Sequence, residues 1–70
     1  MKTTIKTIKD MQNAVETMLI GKRPMSLREI ASGLREEELG ASVGIDAAIS
    51  AGTVAKAGTV LGEQHYRRLY

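Results

Sequence analysis

The sequence predicts a mainly α chain of the small α+β kind, with three helices followed by a two-stranded β-hairpin, as one domain over residues 1–70. Three observations predict it. Two capping sequences, Thr7-Ile8-Lys9-Asp10 and Ser26-Leu27-Arg28-Glu29, each lead into an apolar stripe of helical period. An alanine-rich stretch from Asp46 to Gly58 begins with an acid able to cap a helix and closes on a lysine and a glycine suited to a last turn and a stop. Directly after that glycine, Thr59 to Leu61 and His65 to Tyr70 read as two short strands around Gly62-Glu63-Gln64.

The first helix starts at Thr7, with Asp10 in the place usually held by Glu or Gln in a capping box. Ile8, Met11, Val15, Met18 and Leu19 form its apolar face, which ends near Ile20-Gly21. Residues 1–6 extend this helix, form a short strand or stay flexible; the pattern fits each. Gly21-Lys22-Arg23-Pro24 is a turn, because Pro24 biases Arg23 away from helical geometry. The second helix opens on the full capping box at Ser26, with Met25 as a staple residue, and buries Leu27, Ile30, Ala31 and Leu34. It ends at Gly33 or runs through Glu36-Glu37-Glu38 to Gly40. Residues 40–44 then read as a turn anchored by Leu39 and Val43, which makes the connection longer than that of a tight helix-turn-helix.

Composition narrows the function classes. Six Ile, six Leu, four Val, four Met and eight Ala, without Phe or Trp, make a thin core for a chain of 70 residues. A domain of that size buries about 60% of its unfolded surface, so a homodimer is expected to help it. The absence of cysteine excludes a disulfide framework and a thiolate metal site. Lys6 and Lys9 interrupt the region where a signal peptide would need its apolar run, and Asp46 and Lys56 break the small-residue stretch that a membrane span would need. A cytoplasmic protein without membrane contact is expected. The charges are segregated. Residues 1–28 carry +4, residues 29–46 carry −4 and residues 47–70 carry +2, which leaves two basic zones around an acidic one.

Little in the chain suggests catalysis. His65 is the single histidine and has only Glu63 near it in sequence, short of the three or four ligands that zinc requires. Ser26 is accounted for by its cap, and the glycines are spaced as caps and turns rather than as a phosphate loop. No metal, no cofactor and no enzymatic activity are expected.

The succession of a basic turn with Pro24, Met-Ser-Leu-Arg-Glu-Ile-Ala, a helix closing on Val-Ala-Lys-Ala-Gly-Thr-Val, and a polar hairpin ending in Tyr-Arg-Arg-Leu-Tyr resembles the winged helix-turn-helix domains of bacterial and phage transcription regulators. The resemblance covers Ile8 to Tyr70. The family's Leu-x-x-Leu-x-x-x-Gly-x-Val pattern falls on Ala51, Val54, Gly58 and Val60, with its first leucine reduced to Ala51. The chain also has the shape of the small winged-helix proteins associated with bacterial ferrous-iron transport, but it lacks the cysteines those carry in the wing.

The resemblance implies a third helix whose core face holds Ala47, Ala51 and Val54. Its other face then presents Ile45, Ala48, Ile49, Gly52, Thr53 and Lys56. On that reading Ala48, Ile49, Gly52, Thr53 and Lys56 enter the major groove of double-stranded DNA. Lys22, Arg23, Arg28, His65, Arg67 and Arg68 contact its backbone or minor groove. The helix lacks Arg, Asn and Gln, so affinity should come mainly from phosphates. Strand alternation sends one of Arg67 and Arg68 outward. Tyr66 and Tyr70 are expected to cover the core, Ile45 to be buried, and Glu36-Glu37-Glu38 to face solvent. The implied function is a small DNA-binding regulator of transcription or replication from a phage or other mobile element, acting as a dimer on paired half-sites. The alternative is a protein-interaction module that uses the Ala/Gly/Ile face against a partner. Gly52 suits that reading as well, since small residues allow close packing.

Overall fold

A computed structural model describes residues 7–69; what the sequence suggests for residues 1–6 and for Tyr70 lies outside the described residues. Helix α1 spans Ile8–Leu19, a two-residue strand β1 spans Met25–Ser26, and helix α2 spans Leu27–Leu34. Helix α3 spans Glu38–Ala51, and strands β2 and β3 span Val54–Val60 and Glu63–Arg68. The result is a small α+β fold with three helices and a three-stranded antiparallel sheet in the order β1-β3-β2.

Both capping boxes form. Thr7 Oγ1 accepts from the Asp10 N–H at 3.1 Å while the Asp10 carboxylate accepts from the Thr7 N–H at 3.3 Å. Ser26 Oγ accepts from the Glu29 N–H at 3.2 Å, and Glu29 returns the bond to the Ser26 N–H at 3.0 Å. These bonds satisfy donors that the first turn of a helix leaves without partners. Helix α2 stops at Leu34 because Arg35 turns left-handed, at φ 58°, and the Glu36 N–H closes back on Ala31 O at 2.9 Å. This is a Schellman-type ending. Three residues then separate α2 from α3, the short connection of a tight helix-turn-helix rather than the longer segment suggested by the sequence.

The third helix is displaced from its expected position. It starts at Glu38, eight residues before Asp46, and stops at Ala51, where Gly52 adopts φ 82° and the Thr53 N–H bonds Ala48 O at 3.1 Å. Asp46 therefore lies mid-helix rather than at a cap, and Lys56 and Gly58 belong to strand β2. Residues 40–44 form no turn. Gly40 and Gly44 are one helical turn apart on α3, where α1 approaches closely. A Cβ added at Gly44 would lie 2.6 Å from Met11 Cγ and 2.8 Å from its backbone oxygen. The glycines signal close packing here, which outweighs their low helix propensity.

Strands β2 and β3 pair from Val54↔Arg68 to Val60↔Glu63, so the turn is Leu61-Gly62 and both strands are longer than the sequence suggests. An irregularity between Lys56 and Gly58 leaves Ala57 without an opposite residue. The core gathers Val15 and Leu19 of α1, Ile30 and Ala31 of α2, Ala41, Ile45 and Ala48 of α3, and Val54 of β2. Tyr66 packs against it, as expected, together with Met25 and Leu27.

Candidate interaction surface

The start of α3 at Glu38 sets its rotational phase. Ala41, Gly44, Ile45 and Ala48 turn inward. Leu39, Val43, Asp46 and Ser50 then form one exposed line along the other side, with Glu38 at its head. Leu39 is 77% exposed. This line contains no Lys, Arg, Asn or Gln.

The β2–β3 ribbon reaches the same neighbourhood. Residues 56–63 are all exposed, and Leu61 at the turn is 97% exposed with φ 52°. Two open hollows of ≈ 250 Å³ lie beneath the ribbon's outer end. Arg28 and Glu63 line both. Glu38, Gln64 and Tyr66 join them in the first, and Val60, Leu61 and His65 in the second. The head of α3, the first turn of α2 and the ribbon tip therefore surround one cleft. Glu38 and Glu63 face it with Arg28 as the cation between, while Glu29 is drawn to Arg23 by a 2.9 Å ion pair. The Glu29 carboxyl is held below its ordinary range by the Ser26 N–H and then by Arg23.

The residues proposed from the sequence do not gather on one face. Ala48 is fully buried and cannot reach a groove. Ile49 packs against the core, and Gly52 is the helix stop. Thr53 Oγ1 lies 2.6 Å from Glu16 Oε2 and is engaged there rather than displayed. That bond, with one from Gln12, lowers the Glu16 pKa. Arg68 is turned inward: Nη1 donates to the Glu16 carbonyl at 2.6 Å, and its buried Nε has no hydrogen-bond partner. Arg67 points outward, as strand alternation requires. Lys22, Arg28 and Lys56 are also exposed, and none of these four cations is ion-paired among the described residues. His65 is half-buried, with Nδ1 2.9 Å from Glu63 O. The expected core face of α3 is corrected too. Ala51 is exposed and Ala47 half-buried, while Val54 reaches the core from β2.

Comparison with known protein families, curated sequences and solved structures gave no match.

The surface that the fold does assemble, Leu39, Val43, Asp46, Leu61 and Glu63, escaped the sequence reading for a definable reason. Leu39 and Val43 form an i, i+4 pair, legible as a helix face only once the helix is known to begin before them. Leu61 occupies a turn position where Asn or Asp would have announced the turn. Among the described residues no helix is long and apolar enough to cross a membrane, and no three of His, Asp and Glu gather as a metal site.

Proposed function

We propose that this chain is a winged helix-turn-helix domain that works as a protein-interaction module, with the outward line of α3 and the ribbon tip, here the wing, as its binding surface. The succession helix, short strand, helix, three-residue turn, helix, ribbon supports the scaffold, as does the placement of β3 between β1 and β2. The observation that carries the function is the chemistry of α3. A helix entering the major groove needs donors for base edges and cations toward phosphates. The exposed line of α3 offers Leu39, Val43, Asp46 and Ser50, headed by Glu37 and Glu38. Its carboxylates repel a phosphate backbone, whereas its leucine and valine suit the apolar centre of a protein interface.

Lys22, Arg28, Lys56 and Arg67 favour a second reading, a DNA-binding regulator held by backbone contacts alone. Salt separates the two. With four phosphates engaged, log affinity falls against log salt with a slope of about −3.6. Titration of labelled protein with a mixed-sequence duplex at several salt concentrations is expected to leave the α3 amides in place. Saturable binding with that slope, together with shifts at α3 and the wing, overturns the module reading in favour of the regulator.

A further inference from the structure

We infer that the partner of this surface is a cationic amphipathic protein segment and that Leu61 is the side chain that anchors it. The inference rests on the module reading and adds the chemistry of the partner.

Leu61 and Gly62 make a two-residue turn in which both have positive φ, 52° and 81°. Turns of this kind favour Asn, Asp or Gly in the first place, because a Cβ crowds the following carbonyl in the left-handed region. Leucine is poorly suited to that conformation. It gains nothing from burial either, being 97% exposed. Neither the backbone nor the core accounts for it, and an apolar side chain held out on a strained turn is the form of an anchor awaiting a pocket. Val60 beside it is exposed as well, and Leu39 and Val43 continue the apolar surface on α3.

The charges around these side chains choose the partner. Glu38 and Glu63 line the cleft between α3 and the ribbon, with Arg28 opposing them. Glu37 precedes the helix and Asp46 lies farther along it. Carboxylates outnumber the cation, so an acidic segment is repelled and a wholly apolar one would strip water from unpaired carboxylates. A lysine or arginine can lay its stem on the leucines and reach a carboxylate with its head. Alternating with apolar residues on one helical face, such side chains match both features.

The test uses two synthetic amphipathic helical peptides with the same leucine positions, one with lysines on its polar face and one with glutamates. Each is titrated into the labelled full chain. The lysine peptide is expected to move the Leu39, Val43, Leu61 and Glu63 amides and to bind about tenfold or more tightly than the glutamate peptide. Leu61→Asn should keep the fold and weaken the lysine peptide about tenfold, and Glu38→Lys with Glu63→Lys should reverse the preference between peptides. Equal affinity for both peptides, or unchanged binding by Leu61→Asn, overturns the inference. If the glutamate peptide binds more tightly at the same amides, the partner chemistry is wrong while the module reading stands. If neither peptide moves those amides, both fall. Movement of the same amides with protein concentration alone would assign the face to a second copy and overturn the inference.

Discussion

Thr53 donates its hydroxyl proton to the Glu16 carboxylate at 2.6 Å, across 37 positions of sequence. Arg68 donates to the backbone carbonyl of the same glutamate, and the Leu69 N–H bonds Thr53 O at 2.9 Å. One residue of α1 thereby fastens the end of α3 and the end of β3 together. That joint fixes the base of the ribbon relative to the helix whose exposed line it accompanies.

Replacing Thr53 by valine removes the hydroxyl while keeping the shape. A hydrogen bond to a partly exposed charged group contributes about 1 kcal/mol net, and a loss of that size is expected in urea unfolding. The Glu16 carboxyl should titrate higher in the variant, as read by NMR.

Stability should decline on the acid side, and part of the decline should vanish in Thr53→Val. The folded Glu16 and Glu29 carboxyls both titrate below their ordinary value of 4.5. Lowered folded values give stability that is present above the unfolded value and is lost as pH falls through the folded one. The expected melting profile is therefore flat in these two groups above about pH 4.5 and falls below it. A profile with the same acid slope in wild type and variant would exclude Glu16 as a contributor.

The two glycines of α3 should respond oppositely to alanine. At Gly44 the new methyl meets the Met11 backbone at 2.8 Å, where nothing can rotate aside, and α1 must move. Overpacking of that kind costs about 1–3 kcal/mol. At Gly40 the nearest atom is Met11 Cε at 3.6 Å, an ordinary contact. Gly40→Ala should stabilise by up to about 1 kcal/mol through helix propensity. Thermal melting of the pair checks the α1–α3 approach directly.

Leu61→Asn should raise the melting temperature, because asparagine accepts the left-handed backbone that costs leucine about 1 kcal/mol. A lower melting temperature would mean that Leu61 is packed in the folded chain, contrary to its exposure.

Ser26→Ala is expected to cost about 1 kcal/mol through loss of the cap. Unchanged melting would place the start of α2 elsewhere.

The parts legible in the sequence share one property: their determinants lie within a few residues of one another. The Thr7 and Ser26 capping boxes, the Met11-Val15-Leu19 stripe and the turn before Pro24 carry their own instructions, and each appears where the pattern puts it. The outward Arg67 and inward Arg68 follow from alternation alone. Of the surface described here, the sequence supplied the residues but not their grouping.

By itself the sequence determined three helices, a terminal pair of strands, the first two helix starts and the covering role of Tyr66. Tertiary structure decided where α3 begins and ends, and hence which of its faces meets solvent. Gly40 and Gly44 read locally as turn residues; they become helical because α1 packs where their side chains would be. Gly52 and Gly58 are equal candidates for a stop until the core claims Val54 as a strand residue. A capping box acts over four residues, whereas the choice between two glycines rests on contacts with Met11, Glu16 and β3. Those contacts exist only once the chain has folded.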